Sequence, residues 1–214
     1  MQLILQNLLP TPFQQKLTSN SSDIWLQNLY FKKGEHIALI APNGKGKSLF
    51  FQILNGLYSD YDGTVILGDK ELKSFDQEQL AKMRALYIST VFQQNQLFPQ
   101  LTVWENLELK RSLTQTIESP TLQDMMKQLE VDEKRDALCA SLSLGELQRV
   151  AIIRSLLQPF DWLLLDDSFQ HLDHLHKEKA AMMILKIAER NHAGIIMATI
   201  ENNDYFHYHK KLYL

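Results

Sequence analysis

The residues with the clearest chemical capacity stand together at Ala41-Pro42-Asn43-Gly44-Lys45-Gly46-Lys47-Ser48. They lie between a short apolar run, His36 to Ala41, and a segment with helical spacing of apolar residues, Ser48 to Leu57. Gly44 and Gly46 let backbone N–H groups turn inward toward phosphate oxygens. Lys47 offers a compact positive charge for β- and γ-phosphates, and Ser48 places a hydroxyl where Mg²⁺ would sit. The N-terminus of the following helix adds a partial positive charge facing the same anion. The set expected to hold a nucleotide is therefore Asn43, Gly44, Lys45, Gly46, Lys47, Ser48 and Leu49. The strict P-loop pattern has glycine where this chain has Ala41, and the rival reading is a plain glycine-rich turn between strand and helix.

Other reactive groups are less eloquent. His171-x-x-His174-x-His176 matches no common zinc spacing, and is expected to be an exposed loop running into a helix start. Lys32-Lys33 and Lys210-Lys211 read as solvated pairs, not nucleic-acid patches.

The elements that must position the loop follow from hydrophobic periodicity. Strands are expected at Met1 to Leu9, Trp25 to Phe31, His36 to Ala41, Thr64 to Leu67 after Asp62-Gly63, and Tyr87 to Phe92. A polar loop is expected at residues 18–23 and a turn at Lys32-Lys33-Gly34-Glu35. Ser48 to Leu57 is expected to be a helix that meets Gly56 near its end. From Val103 to Leu156 charged and apolar residues alternate at helical spacing with no convincing strand, ending in a helix near Gly145 to Leu157. A strand at Trp162 to Asp166, a helix at about Leu175 to Arg190 and a strand at Gly194 to Thr199 follow. Strands alternating with helices imply βαβ units and a mostly parallel sheet.

The 214 residues are 45% apolar and 22% charged, enough to bury a core and to exclude a disordered chain. A net charge of −3 argues against a dedicated nucleic-acid binder. The single cysteine, Cys139, points to a reducing compartment. No apolar run is long enough to cross a bilayer, and the opening residues do not read as a signal peptide. A cytoplasmic α/β protein is expected.

Further segments follow the phosphate loop in a specific order: Val91-Phe92-Gln93-Gln94, then Leu97-Phe98-Pro99-Gln100-Leu101-Thr102-Val103-Trp104-Glu105-Asn106-Leu107, then Leu142-Ser143-Leu144-Gly145-Glu146-Leu147-Gln148-Arg149, then Trp162-Leu163-Leu164-Leu165-Asp166-Asp167 and Leu172-Asp173. Over essentially the whole chain this series resembles the nucleotide-binding subunit of ABC transporters. The stretch after Gln93 looks most like the lipoprotein-releasing, macrolide-exporter and FtsE-type branch. The resemblance implies that Gln93 reaches Mg²⁺ and the attacking water, that Asp166 and Ser48 hold Mg²⁺, and that Asp167 stands at the catalytic carboxylate position. It implies that Ser143, Gly145 and Glu146 form a signature that closes over the nucleotide of an opposite subunit, and that Asp173 is the D-loop carboxylate at the dimer interface. The plain reading of Ser143 and Glu146 is a helix cap, and both readings can hold. Phe13 is the candidate aromatic for stacking on adenine, with ordinary packing as its rival.

Four departures from the family pattern bear on mechanism. Asp167 stands where Glu is usual, and one methylene less retracts the carboxylate by about 1.5 Å. Ile200 follows Thr199 where a His is usual, and it cannot donate to a γ-phosphate. Leu144 and Glu146 replace Gly and Gln, and Ala41 replaces the leading Gly. Hydrolysis is expected to be impaired while nucleotide binding is kept. The competing reading is that Asp167 works through an extra water and another group, His207 or His209, replaces the missing His. Those two are expected on a terminal strand.

The resemblance implies a P-loop NTPase α/β core with a mostly parallel sheet, an N-terminal antiparallel β sub-domain, and an inserted helical sub-domain at about 94–157, all one ABC ATP-binding domain over 1–214. It implies ATP and Mg²⁺ as ligands, and a homodimer or heterodimer with another ATP-binding subunit. It also implies a separate integral membrane permease, no nucleic acid, and a peripheral position on the inner face of the cell membrane. The permease would dock around Leu97, Phe98, Leu101 and Trp104, large apolar groups just after Gln93. Two functions are open: an ATPase subunit driving transport, or a nucleotide-gated clamp with little hydrolysis, the degenerate half of a heterodimer. A soluble ATPase acting on DNA or ribosomes is disfavoured.

Overall fold

A computed structural model of the chain describes residues 1–14, 22–114, 117–201 and 204–214. The strands among them are β1 (Leu3–Pro10), β2 (Asn28–Phe31), β3 (His36–Ile40), β4 (Tyr61–Leu67), β5 (Lys70–Glu71), β6 (Ile88–Val91), β7 (Trp162–Asp166), β8 (Gly194–Thr199) and β9 (Lys210–Tyr213). The α-helices are α1 (Lys47–Leu54), α2 (Gln77–Leu86), α3 (Val103–Thr114), α4 (Ser119–Gln128), α5 (Leu144–Ser155) and α6 (His174–Asn191). A four-stranded antiparallel sheet runs in the order β2-β1-β4-β5. A five-stranded sheet runs β6-β7-β8-β3-β9 with every pair parallel.

The apolar strands at the centre of the parallel sheet are buried on both faces, as a covered parallel sheet requires. Successive side chains point to opposite sides. Trp162, Leu164, Ile196 and Ala198 join a core with Leu3, Phe50 and Phe51, between the parallel sheet, α1 and the antiparallel sheet. Leu163, Leu165, Ile195 and Met197 join the other core, built with α5 and α6. Gly194 is required by this packing, since a Cβ there would lie 2.2 Å from Trp162 Cζ3.

Several expectations change. Only Asn28–Phe31 of the expected Trp25–Phe31 strand pairs; Ile24 and Trp25 lie buried in a turn whose N–H groups Ser22 Oγ accepts at 3.1 Å. Trp25 is needed there as packing, between Phe13 (ring centroids 5.8 Å) and Phe50 (6.0 Å). Residues 18–21 of the expected polar loop lie outside the described residues. Helix α2 was not expected; its signal is the reciprocal cap of Asp76 and Gln79. Between β6 and β7 lie α3 to α5, and an isolated antiparallel bridge pairs Thr102, just before α3, with Leu138, in the segment leading to α5. His207 and His209 precede β9 instead of lying on it.

Candidate functional site

The β3–α1 connection folds back because Gly44 and Gly46 take φ values of 80° and 98°, which residues with a Cβ rarely adopt. Gly46 has a second reason to be glycine: a Cβ would lie 2.8 Å from the Phe13 ring and 3.0 Å from Trp25. The resulting cavity of about 460 Å³ is lined by Phe13, Asn43, Gly44, Gly46, Lys47, Ser48, Leu49, Gln93 and Asp167. One cavity thus gathers most of the expected nucleotide set together with Gln93 and Asp167. Lys45 is exposed outside its lining, and Asp166 lies buried at the end of β7.

Lys47 is buried and fully bonded. Its Nζ donates to the Ala41 carbonyl at 2.7 Å and to Asn43 Oδ1 at 3.4 Å, and pairs with Asp167 Oδ2 at 3.3 Å. An ammonium has three N–H donors, and the protein accepts all three. Asp167 is held at φ 45°, its N–H donating to Ala198 O at 3.2 Å. Its carbonyl accepts from Gln170 N at 3.2 Å and from Gln148 Nε2 at 3.5 Å. Burial pushes the Asp167 carboxyl above the usual carboxylate range, and Lys47 pulls against it.

Asp166 is 1% exposed, and its Oδ1 has no hydrogen-bond partner among the described residues. Burial pushes its carboxyl up, opposed first by the Ser48 hydroxyl and then by Lys47 and the Gln93 backbone, while the charge of Asp167 adds to the rise. A buried carboxylate oxygen without a donor, next to a serine hydroxyl, is a pairing that a hard divalent cation satisfies. The donor set Ser48, Asp166 and Gln93 therefore fits Mg²⁺.

At the end of β8, Ile200 is 43% exposed and lines a cavity of about 330 Å³ shared with Asp167, Thr199, Glu201 and Lys177. Neither His207 nor His209 lines this cavity or the one at the glycine loop. His209 instead accepts from the His36 backbone N–H through Nδ1 at 2.9 Å.

The expected signature begins α5. Ser143 caps the helix, its Oγ accepting from Glu146 N at 3.3 Å and donating to Glu146 Oε2 at 2.8 Å. The same carboxylate oxygen accepts from Ser143 N at 2.8 Å, which closes a reciprocal capping box. Leu144 projects from the first turn, 58% exposed. None of Ser143, Gly145, Glu146 or Asp173 lines the glycine-loop cavity. Asp173 caps α6 by accepting from His176 N at 2.9 Å. His176 is not the exposed helix-start residue expected: its ring nitrogens meet Asp173 at 2.8 Å, Arg149 at 2.9 Å and Glu130 at 3.3 Å, joining the middle of α5 to the start of α6.

Of the expected docking cluster, Phe98 alone is strongly exposed, at 46%. Trp104, the second residue of α3, packs against the core under the Arg135 guanidinium, 4.0 Å from the ring centroid. Two residues were passed over in the sequence. Asn106, fully buried, holds the turn before α3 by accepting from Phe98 N at 2.8 Å and donating to the Phe98 and Thr102 carbonyls at 3.0 Å. Gln148 accepts from His171 N at 2.8 Å and so ties α5 to the segment after β7. Polar residues inside an otherwise apolar helical face were the available signal.

The family model described as ABC transporter matches residues 27–170. The ABC transporter ATP-binding protein YbbA of Escherichia coli (strain K12) is 36% identical over 174 residues, 80% of this chain and 76% of that protein. The lipoprotein-releasing system ATP-binding protein LolD of Treponema denticola is 27% identical over 180 residues, 82% of this chain and 79% of that one. Among solved structures, the dimeric bacterial ABC transporter cassette MJ0796 superposes with a TM-score of 0.78 at 26% identity, covering 93% of this chain and 88% of that one.

Proposed function

The chain belongs to the ABC transporter family as an ATP-binding subunit, and from that premise we propose that it binds MgATP at the glycine loop and couples this binding, with slow hydrolysis, to a separate membrane permease. No helix among the described residues is long and apolar enough to cross a membrane; the place proposed for the subunit is peripheral, on the inner face beside its permease. Lys47 takes the β- and γ-phosphates, the N–H groups around Gly44 and Gly46 cradle them, and Phe13 stacks on the base. Ser48, Asp166 and Gln93 would hold Mg²⁺, which neutralises phosphate charge when bound. Ser143, Gly145 and Glu146 lie outside the glycine-loop cavity of their own chain, which supports a dimer in which they and Asp173 serve the opposite subunit, identical or related. The dimeric cassette to which the chain is similar supports the same assembly. The segment 94–157 is read as an inserted helical sub-domain facing the permease.

The observation that carries slow hydrolysis is the Lys47–Asp167 ion pair at 3.3 Å. The carboxylate at the position expected to orient water is short and turned onto the phosphate lysine. Beside it Ile200 has nothing to donate. Positioning and electrostatic groups of this kind are each worth about 2–4 kcal/mol of barrier. A second reading, a clamp with no useful hydrolysis, rests on the same pair of residues.

Calorimetry and a steady-state ATPase assay test this. Lys47→Ala is expected to weaken MgATP binding strongly; unchanged affinity removes the glycine-loop assignment. Asp167→Glu with Ile200→His is expected to raise turnover and Asp167→Ala to change it little. A wild-type rate of about 1–1,000 per second, abolished by Asp167→Ala, overturns the slow-hydrolysis reading. A wild-type rate indistinguishable from background favours the clamp.

A further inference from the structure

One imidazole joins the segment after α4, the middle of α5 and the start of α6. The His176 side chain is 15% exposed, enclosed by the more open Asp173 and Glu130. Its Nδ1 lies 2.8 Å from Asp173 Oδ2, and its Nε2 lies 2.9 Å from Arg149 Nη1 and 3.3 Å from Glu130 Oε2. Asp173 Oδ1 accepts from the His176 backbone N–H at 2.9 Å, so this one residue holds both oxygens of that carboxylate. These bonds, the backbone one first, keep the Asp173 carboxyl below the usual carboxylate range. Lys179 takes the other oxygen of Glu130 and holds that carboxyl low as well. Both acids therefore stay anionic where an imidazole titrates. Glu146 acts on Arg149 from the first turn of α5 and is itself paired with Lys134 at 3.7 Å.

Counting protons fixes the state of the ring. A guanidinium only donates, so a nitrogen 2.9 Å from Arg149 Nη1 must accept, and Nε2 carries no proton. The one N–H of the neutral ring is then on Nδ1, donating to Asp173. Arg149 Nη1 has two N–H groups for three acceptors: the Leu129 carbonyl at 2.8 Å, the Glu130 carbonyl at 3.1 Å and His176. A protonated ring has a second complete set. Nδ1 still donates to Asp173, Nε2–H turns to Glu130 Oε2, and Arg149 Nη1 keeps the two carbonyls. The sets differ in one connection: the neutral ring ties α6 to α5, and the charged ring ties it to the segment after α4. Asp173 lies between a fixed point and this conditional one. Gln148, next to Arg149, accepts from His171 N at 2.8 Å in either state of the ring. Gly145 packs so closely that a Cβ would lie 3.0 Å from the His171 carbonyl oxygen. Past residue 171, the hydrogen bond from α5 to the first turn of α6 among the described residues is that of Arg149 to His176.

We propose that His176 is a positioning residue: neutral, it locks Asp173 and the first turn of α6 onto Arg149 of α5; protonated, it lets go of Arg149 and takes Glu130. The proposal rests on the reading above that Ser143, at the start of α5, and Asp173 serve an opposite subunit. With the neutral ring these two segments are presented in one fixed pose. With the charged ring they part, and the MgATP-dependent dimer weakens as pH falls.

The test is nitrogen NMR of the full chain labelled at its histidine rings, with sedimentation velocity alongside. At about pH 8 the His176 ring is expected to show a protonated Nδ1 and a bare Nε2, and to gain the Nε2 proton as pH falls toward about 5.5. A proton on Nε2 in the neutral ring overturns the proposal. Arg149→Met removes the donor that Nε2 faces and is expected to move the neutral ring toward Nε2–H, donating to Glu130; an unchanged tautomer overturns the proposal. MgATP-dependent dimerisation of the wild-type chain is expected to weaken about three- to tenfold from about pH 8 to about pH 6, the effect of one hydrogen bond. His176→Gln keeps a neutral acceptor for Arg149 and takes up no proton, so it is expected to lose most of that dependence. The same dependence in both chains overturns the proposal. Melting and MgATP affinity are measured on every variant, and the wild-type spectra need no substitution, so they decide the matter if a variant fails to fold. A chain that forms no dimer at either pH overturns the dimer reading, and the tautomer in the wild type and in Arg149→Met then decides the lock by itself.

Discussion

The carboxylate of Asp167 already occupies the ammonium that a phosphate needs. All three donors of Lys47 have protein acceptors, at 2.7, 3.3 and 3.4 Å, so nucleotide binding must exchange bonds and not merely add them. Removing the competing charge while keeping side-chain volume is therefore expected to favour the nucleotide. Asp167→Asn is predicted to tighten MgADP and MgATP binding by about three- to tenfold, measured by calorimetry. Weaker binding in that variant would show that the Asp167 charge serves the bound nucleotide instead of competing with it.

The start of α5 carries two demands on one hydroxyl. As a local structure it is a complete capping box, with Ser143 and Glu146 satisfying each other's backbone N–H. As part of a composite site in the dimer, the same Ser143 would offer its hydroxyl to a phosphate while Glu146 brings negative charge nearby. Ser143→Ala removes the cap and is predicted to lower the melting temperature by about 2–4 °C, the effect of about 1 kcal/mol in a domain of this size. An unchanged melt would show the cap to be idle. Glu146→Gln keeps an acceptor for the Ser143 N–H and deletes the charge. It is predicted to leave the melt nearly unchanged and to strengthen MgATP-dependent dimerisation in sedimentation velocity; weaker dimerisation would count against a repulsive Glu146.

Across the molecule, the parallel sheet is closed at one edge by β9, and His36 sits at that seam. Its ring packs edge-on against His209 at 5.5 Å and Phe206 at 6.5 Å, and its Nδ1 is buried without a partner among the described residues. Burial, aided by His209, depresses its pKa below the ordinary 6.5, while a hydrogen bond to the His207 backbone and the Glu189 charge pull the other way. The neutral form is the folded form, so its contribution is complete above about pH 6.5 and fades as pH falls toward the lower folded value. The wild-type chain is predicted to lose more in melting temperature than His36→Leu as pH falls from about 7 to 5.5. The difference between the two curves isolates His36 from Asp166 and Asp167, whose raised pKa values act in the opposite sense. Parallel curves would remove His36 from the pH response.

Sequence alone determined the glycine loop, the strands Trp162–Asp166 and Gly194–Thr199, and the order of segments that identifies the family. These are encoded locally: two glycines force a turn, and apolar runs of strand length must be buried on both faces. It also exposed Asp167 and Ile200 as departures, because a missing methylene or imidazole is a matter of composition. Tertiary structure alone decided where the side chains of distant segments meet. Asp167 turned out to hold Lys47, His176 to join Glu130, Arg149 and Asp173, and Trp104 to pack inward under Arg135. Glu130, Arg149, Asp173 and His176 carry no shared pattern along the chain. They become one cluster only when the segment after α4, the middle of α5 and the start of α6 pack together, since charge interaction is a property of distance in space and not of spacing in sequence.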